Sequence, residues 1–206
     1  MKSDRGVRWL ALGALFVALW CGSAQAAGKE ATATFGGGCF WCLEQAMDKL
    51  PGVLSTASGF MGGHVADPSY KQVSAGGTGH VEVVQVRYDP TQLTYYALLN
   101  HYWRNIDPLQ ANGQFCDHGP TYRSVIFTHT PEQEREAKKS RMALEDDKPF
   151  PGEIVTQILP AGPFYPAEEY HQDYYQKNPI RYNYYKFRCG RAQRLETLWG
   201  KENLAH

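Results

Sequence analysis

Two cysteines stand three positions apart directly after a run of glycines, in the segment FGGGCFWC at residues 35–42. The residues before the glycines are β-prone, and apolar residues at the spacing of one helix face follow the first thiol. Cys39 is therefore predicted to lie where a strand gives way to a helix. Unpaired backbone N–H groups and the helix dipole favour a negative charge at such a point, so we expect a lowered pKa for the Cys39 thiol and a reactive cysteine.

The pair formed by Cys39 and Cys42 also has less specific interpretations. A cysteine at the start of a helix is often a small buried hydrophobe, and Cys-x-x-Cys can be half of a zinc site. Two alternatives stay open: an exported thioredoxin-like disulfide oxidoreductase, and a zinc-stabilised binding module that adds Cys116 and a further ligand. The first lacks a βαβ pattern before its cysteines, and the second lacks paired knuckle spacing.

A carboxyl group is the second candidate for chemistry. Residues 81–88 alternate as a strand, in which Glu82 shares a face with Val84 and Val86. A carboxyl group on an apolar face loses part of its hydration, which raises its pKa and makes it a plausible proton donor. The alternative is that Glu82 emerges at the rim as an ordinary solvated residue.

These residues need a scaffold, and the pattern along the chain predicts mixed α and β structure. Strands are expected at residues 31–35, 53–60, 81–88, 123–127 and 154–159, and helices at residues 40–50, 95–103, 131–145, 167–176 and 191–199. Because helices and strands alternate irregularly, the fold class is α+β: a mixed β-sheet with helices packed on it, a two-layer, ferredoxin-like core, and a long irregular C-terminal tail. The aromatic residues of that tail are expected to pack over the body of the protein. In the helix that starts at residue 131, we expect Ala137, Met142 and Leu144 to face inward.

The N-terminus has the pattern of a secretory signal peptide. Basic residues precede an apolar run at residues 9–20, and a small-x-small tripeptide ends at Ala26. The apolar run has twelve residues, fewer than the ~20 needed to span a bilayer. We therefore expect cleavage after Ala26, export to the periplasm or the medium without stable membrane insertion, and a single catalytic domain at residues 27–206.

Composition narrows the function classes. A chain of 206 residues with 43% hydrophobic content is long enough for one packed domain. Its 21 basic and 21 acidic residues balance, so nothing indicates a nucleic acid or other polyanionic partner. A monomer is the default expectation. Four cysteines remain after cleavage, and because a chain of this size does not need disulfides to fold, redox cycling is the favoured interpretation.

Four blocks of sequence occur in one order along the chain: GCFW at residues 38–41, PSY at 68–70, TGHVE at 78–82 and DHGPTYRS at 117–124. Together they closely resemble the peptide-methionine (S)-S-oxide reductases, the A-type methionine sulfoxide reductases, over nearly all of the chain after the signal peptide. A single tetrapeptide would be suggestive, whereas four blocks in register are specific. The resemblance implies a thiol-dependent oxidoreductase of protein repair and the oxidative stress response. Such an enzyme reduces the S epimer of methionine sulfoxide, in proteins and free, to methionine.

The resemblance also implies a role for each matched catalytic residue. Cys39 aligns with the nucleophile that attacks the sulfoxide sulfur, and Glu82 aligns with the acid that protonates the sulfoxide oxygen. Tyr70 and Tyr122 match the two tyrosines that bind this oxygen. Asp117 matches the acid that helps to orient the site.

Substrate binding and the cofactor requirement follow from the same resemblance. Phe40 and Trp41 match the rings that receive the S-methyl group of the substrate. Attack on the sulfur leaves methionine and a Cys39 sulfenic acid, which a resolving thiol converts to a disulfide. An external dithiol of the thioredoxin type then reduces this disulfide, and no metal or organic cofactor is expected.

The thiols depart from the commonest pattern of the family. Many members have Gly at the position of Cys42 and two resolving cysteines near the C-terminus. Here Cys116 is an addition, and the tail holds only Cys189. The candidates for resolving Cys39 are Cys189, which a flexible tail can deliver, then Cys116, which adjoins Asp117, and Cys42, one helical turn away.

The histidines receive no chemical role. His80 and His118 lie within the matched blocks, but a lone histidine beside a turn is more often structural. His101 and His171 are expected to be ordinary surface or helix residues.

Overall fold

The computed structural model describes residues 30–201, so the predicted signal peptide lies outside the described residues. The strands are β1 (Ala31–Gly36), β2 (Val53–Met61), β3 (Val81–Tyr88), β4 (Gly113–Gln114), β5 (Asp117–His118), β6 (Val125–Thr128), β7 (Gln157–Pro160) and β8 (Tyr165–Pro166). The helices are α1 (Phe40–Asp48), α2 (Tyr70–Ala75), α3 (Tyr95–Trp103), α4 (Pro131–Asp147), α5 (Tyr174–Lys177), α6 (Pro179–Arg188) and α7 (Arg191–Trp199). None of the helices between residues 30 and 201 is long and apolar enough to cross a membrane.

The central sheet confirms the predicted fold class. Its strand order is β7-β6-β1-β3-β2-β8, and the three pairings among the four inner strands are antiparallel. With α1 after β1 and α3 after β3, these strands give the βαββαβ order of a ferredoxin-like core. β7 adds to β6 in parallel and β8 to β2 in antiparallel fashion, which makes the sheet mixed.

The register of the inner strands brings two chemical groups together. Gly36, the last residue of β1, pairs with Val83 of β3, so Glu82 lies beside the glycines that follow β1. On its other side Glu82 pairs with Phe60 of β2. The glycine turn that carries Cys39 and the carboxyl group of Glu82 therefore meet at one end of the sheet.

Both faces of the sheet are covered within the described residues. The larger cluster lies between the sheet and the helices and includes Phe35, Leu43, Leu98 and Trp199, all nearly inaccessible to solvent. A smaller cluster on the opposite face includes Val81, Val83 and Phe127, against which Phe164 packs. β3 is thus buried on both sides, which makes its end a rigid support for a functional side chain.

The predicted irregular C-terminal tail is instead largely helical. Pro179 occupies the first position of α6, where its fixed φ favours a helix start, and Gly190 takes a left-handed φ of 69° between α6 and α7. Tyr182, the most buried residue of α6, packs against α1 and α5 as expected for an aromatic tail over the body. The prediction missed α6 because aromatic residues suit strands and loops as well as helices, so their local pattern does not select one.

One inward-facing residue of α4 was assigned wrongly. Ala137 is buried and Leu144 packs against the main core, but Met142 is 68% exposed. Positions 137 and 144 are seven residues apart and share a helix face, whereas position 142 is turned well away from that face.

Candidate active site

The first thiol lies where the sequence predicts it, between β1 and α1. Gly38 has a φ of 84°, and a Cβ at this position would stand 2.7 Å from the Cβ of Gln114, so a larger residue is excluded by both conformation and space. The turn makes Cys39 the N-cap residue of α1. Its side chain is 7% exposed and faces a small cavity.

The lowered pKa expected for Cys39 is wrong in direction. Burial raises the pKa of the Cys39 thiol well above its usual value, and hydrogen bonding to the Cys42 thiol and the nearby carboxyl groups of Glu82 and Asp117 act in the same sense. The hydrogen bond from Cys39, together with the positive charge of Arg191, lowers the pKa of Cys42 to about 7 despite its burial. The helix N-terminus is outweighed because Cys39 is enclosed and flanked by acids.

Glu82 is a buried acid, so the structure selects the desolvated carboxyl group over the solvated rim residue, the two alternatives that the strand pattern left open. It is 1% exposed, and its Oε2 accepts a hydrogen bond from the backbone N–H of Phe40 at 3.0 Å. Burial raises the pKa of Glu82 to about 8, against the opposing effect of that hydrogen bond. At neutral pH Glu82 is therefore protonated, with Oε2 held by the backbone and a proton to donate into the cavity.

Two tyrosine hydroxyls are held near this acid by separate elements. Tyr70 is the first residue of α2, where its backbone N–H donates to Oε1 of Glu168 at 3.1 Å. Tyr122 ends a short 3-10 turn that begins at Pro120. Burial raises the pKa of both phenols, that of Tyr70 to about 12, and the nearby Glu82 contributes in each case. Both are hydrogen-bond donors over the whole physiological pH range.

A third tyrosine, which the sequence analysis did not select, completes the polar side. The hydroxyl of Tyr185 in α6 donates to Oδ2 of Asp117 at 2.6 Å, and the side chain of Asp117 lines the cavity together with Cys39. Burial raises the pKa of Asp117. The bond from Tyr185 therefore ties α6 to the site.

The cavity joins all the residues predicted to be catalytic or substrate-binding. It has a volume of about 70 Å³ and is lined by Cys39, Phe40, Trp41, Tyr70, Glu82, Asp117, Tyr122 and Tyr185. Thiol, acid and phenols therefore face one small space with two aromatic rings at its wall.

The aromatic wall is held from behind by the C-terminal part of the chain. The Trp41 ring stacks on Tyr174 with centroids 3.8 Å apart, and its Nε1–H donates to Nδ1 of His171 at 3.1 Å. His171 also packs on Phe40 and Tyr70, with centroids at 5.2 and 4.2 Å. The expectation that His171 is an ordinary surface or helix residue is therefore wrong: it is 2% exposed and orients the rings of the site.

The remaining cysteines form a second redox pair. Cys116 and Cys189 are joined in a disulfide, whereas Cys39 and Cys42 are free thiols. The sulfur atoms of the disulfide lie 3.9 and 4.0 Å from the carboxylate oxygens of Asp117. The zinc-module alternative requires Cys116 to stand with Cys39 and Cys42. Cys116 is instead paired with Cys189.

Tyr185 and His171 are the functional residues that sequence reasoning missed. Tyr185 is one helical turn before Cys189, so a helix in the aromatic tail would have placed it near the redox pair. His171 follows Glu168, whose carboxylate holds Tyr70, but only the folded chain brings either residue to the site. Their contacts join positions far apart in the chain, 68 residues for Tyr185 with Asp117 and 130 residues for His171 with Trp41, which no local pattern encodes.

This arrangement is suited to one kind of reaction. A thiol faces a proton donor and two phenol groups across one small cavity. An electrophile whose oxygen accepts those hydrogen bonds would present its central atom to the sulfur of Cys39. The aromatic side of the cavity would receive a small apolar substituent.

Comparison with known proteins shows which protein family this chain resembles. The family model described as peptide methionine sulfoxide reductase matches residues 31–203. Peptide methionine sulfoxide reductase MsrA of Bacillus licheniformis is 46% identical over 175 residues, which cover 85% of this chain and 97% of that protein. MsrA 2 of Caulobacter vibrioides is 49% identical over 177 residues, which cover 86% of this chain and 89% of that protein.

The fold comparison agrees with the sequence comparison. The structure of methionine sulfoxide reductase A of Corynebacterium diphtheriae superposes with a TM-score of 0.68 at 39% sequence identity. The match covers 75% of this chain and 77% of that one.

Proposed function

This chain belongs to the peptide methionine sulfoxide reductase family, a family of thiol-dependent oxidoreductases, and we propose that it reduces the S epimer of methionine sulfoxide, in proteins and free, to methionine. The observation that carries the proposal is the cavity in which the thiol of Cys39 faces the protonated carboxyl group of Glu82. Neither group alone would reduce a sulfoxide, because the sulfur becomes electrophilic only when its oxygen is protonated or strongly hydrogen-bonded.

The proposed first step uses the polar side of the cavity. The sulfoxide oxygen accepts hydrogen bonds from Glu82, Tyr70 and Tyr122, which withdraw electron density from sulfur. The Cys39 sulfur then attacks the sulfoxide sulfur, and Glu82 delivers its proton to the oxygen. The oxygen then moves to the Cys39 sulfur as its bond to the substrate sulfur breaks, and the bond between the two sulfurs breaks to release methionine. Cys39 is left as a sulfenic acid, and the proton of its thiol replaces the one that Glu82 donated. The cysteine sulfur has thus lost the two electrons that the substrate sulfur gained.

Stereoselectivity follows from the different walls of the cavity. The oxygen must face the acid and the phenols, the sulfur must face Cys39, and the S-methyl group must face Phe40 and Trp41. With these three substituents placed, the remaining chain of the residue can leave the cavity in one direction only. The opposite epimer would direct either its oxygen to the rings or its methyl group to Glu82, and both leave a buried polar group unsatisfied.

Regeneration of the enzyme requires a dithiol that can reach a disulfide. We propose a thioredoxin-like protein as this reductant. The support is the position of the Cys116–Cys189 pair, since Cys116 is exposed and its disulfide is open to attack by an external thiolate.

The direct test uses the purified chain from residue 27, a small dithiol and the separated epimers of a blocked methionine sulfoxide, with Cys39→Ser as the matched variant. We expect consumption of the S epimer only, and its loss in Cys39→Ser. Consumption of neither epimer, combined with reduction of a test disulfide, would favour a thioredoxin-like oxidoreductase built on Cys39 and Cys42.

Export and assembly are separate parts of the proposal. Residues 1–26 are proposed to direct export, on the basis of their basic start, apolar run and small-residue cleavage site. N-terminal sequencing of the protein recovered from outside the cytoplasm should begin at Ala27. The secreted chain is proposed to act as a monomer, for which light scattering of the purified protein should give the mass of one chain.

A further inference from the structure

Cys42 is a free, buried thiol that has no role in the reduction of the sulfoxide itself. It lies at the third position of α1, and its backbone N–H bonds to the carbonyl of Cys39 at 3.1 Å. Both thiols are free and buried, and each shifts the pKa of the other. A cysteine at a helix N-cap and another three positions later is the spacing in which thiol–disulfide oxidoreductases form and break a disulfide.

The surroundings of Cys42 differ from those of a cysteine that serves only as a small hydrophobe. The Tyr182 ring packs against Cys42, and the cationic groups of Arg191 and Lys186 lie near enough to lower the pKa of its thiol. Arg191 is itself 4% exposed and is held by the carbonyl of Asn105. A buried positive charge beside a buried thiol stabilises the thiolate, which is the form that attacks sulfur.

We propose that Cys42 is the first resolving thiol, which attacks the Cys39 sulfenic acid and closes a Cys39–Cys42 disulfide. This inference rests on the proposed function, because it needs the sulfenic acid that sulfoxide reduction leaves on Cys39. The Cys42 sulfur displaces the hydroxyl group from the Cys39 sulfur, the S–S bond forms, and the hydroxyl leaves as water with the proton of the Cys42 thiol. Both thiols stand in the first turn of α1, where the backbone N–H of Cys42 bonds to the carbonyl of Cys39, so the attack takes place within one helical turn.

The disulfide is then passed outward to the second pair. Cys116 and Cys189 lie next to Asp117, whose side chain lines the cavity together with Cys39. One of these thiolates attacks the Cys39 sulfur and releases the Cys42 thiolate, and its partner then displaces Cys39. Cys39 and Cys42 regain their two electrons, and Cys116 and Cys189 lose them to become the disulfide that faces solvent.

The experiment isolates the inner pair in the Cys116→Ser/Cys189→Ser variant, which keeps Cys39 and Cys42. The fully reduced variant, freed of small thiols, is mixed with excess S epimer in the presence of a 1,3-diketone that traps sulfenic acids. We expect about one methionine per chain, no remaining thiol and almost no trapped sulfenic acid, because Cys42 resolves Cys39 at once. The matched control adds Cys42→Ala, and should form the same amount of methionine but carry about one trapped sulfenic acid per chain.

The possible outcomes are distinguishable. Equal trapping in both variants, with Cys42 still titrating as a free thiol, would overturn the role of Cys42 and leave the proposed function intact. If neither variant forms methionine while the unmodified chain also forms none, the proposed function fails, and this inference fails with it. The decisive sample retains Cys42, so the result does not depend on how well the Cys42→Ala variant folds.

Discussion

Glu82 combines two properties that the rest of the fold has to maintain. It is buried at the end of a central strand, which raises its pKa, and one of its oxygens is held by the N–H of Phe40. The adjoining residue, Phe40, begins the helix whose N-cap is the nucleophile. Acid and thiol are therefore fixed relative to each other through one hydrogen bond rather than through a flexible loop.

The rate of the chemical step should depend on the protonation of Glu82. Because the pKa of Glu82 is raised to about 8, the acid is protonated at neutral pH and loses its proton above that value. Methionine formation in a single turnover should therefore fall as the pH rises through about 8. Glu82→Gln should slow this step about 10²- to 10⁴-fold and remove the alkaline decline, because the amide cannot ionise. An unchanged pH profile in Glu82→Gln would exclude Glu82 as the proton donor.

The same substitution should have the opposite effect on stability. The folded state keeps the proton of Glu82 up to a pH of about 8, whereas the unfolded state releases it near the ordinary value of 4.5. Between these values the unfolded state binds fewer protons, so the stability of the unmodified protein falls as the pH rises. Glu82→Gln should therefore raise the free energy of unfolding, by a few kcal/mol at pH 8 and little at pH 4. Urea unfolding of both proteins across this range measures the difference. Glu44 of α1 is a second buried acid with a raised pKa, and its effect cancels because both proteins contain it.

For single residues, the sequence predicted which side chains form the site better than it predicted what surrounds them. The five proposed catalytic residues and the two rings lie around one cavity, because each belongs to a matched block whose local turn or strand end is encoded nearby. The pKa shift of Cys39 was predicted in the wrong direction, because the burial and the neighbouring acids that raise the pKa come from distant parts of the chain. His171 and Tyr185 went unassigned for the same reason.

At the scale of elements, α2 shows how a short helix can hold a functional side chain. Ser69 and Gln72 form a reciprocal capping box: the Ser69 side chain accepts from the N–H of Gln72, and the Gln72 side chain accepts from the N–H of Ser69. The next residue after the cap is Tyr70. A helix of six residues has little stability of its own, so the cap is needed to fix the start of the helix and with it the position of Tyr70.

Ser69→Ala should remove that cap and loosen Tyr70. The expected loss is about 1 kcal/mol in the free energy of unfolding, with a several-fold decrease in kcat/KM for the S epimer. The matched control is Thr94→Ala, which removes the N-cap of α3, where Thr94 accepts from the N–H of Ala97 at 3.1 Å. Thr94 does not line the cavity, so this variant should lose similar stability and keep its kcat/KM. Equal activity losses in the two variants would contradict a specific role for the α2 cap.

The elements themselves were predicted unevenly. β3, α3 and α7 were predicted to within a residue, because alternation, an N-cap threonine and helical spacing are local signals. α2 was missed inside a glycine-rich loop, although its Pro68-Ser69 entry and Gln72 are a capping signature. α6 was missed because its helical identity depends on the aromatic residues that it buries against α1.

At the scale of the whole molecule, the C-terminal helices act as one side of the active site. Tyr174 supports Trp41, Tyr182 packs beside Cys42, and Tyr185 binds Asp117. The Cys116–Cys189 disulfide fastens this region to the loop that carries Asp117, across a sequence separation of 73 residues. The redox state of Cys116 and Cys189, the outer pair, is thereby coupled to how firmly the C-terminal region is attached.

The last prediction follows from that attachment. A cross-link over 73 residues restricts the unfolded chain, by about 4 kcal/mol in the chain-entropy treatment and typically 2–4 kcal/mol in practice. In a Cys39→Ser/Cys42→Ser background, where the outer pair is the sole disulfide that can form after the signal peptide, the oxidised protein should therefore unfold at a higher urea concentration than the reduced one. Hydrogen exchange should locate the difference in residues 174–199, which gain freedom when Cys116 and Cys189 are reduced and Tyr185 alone ties them to Asp117. Identical unfolding of the two redox forms would show that the aromatic packing on α1 holds the C-terminal helices without the disulfide. The reduced thiols of Cys116 and Cys189 would then have to reach the Cys39–Cys42 pair from a fixed position.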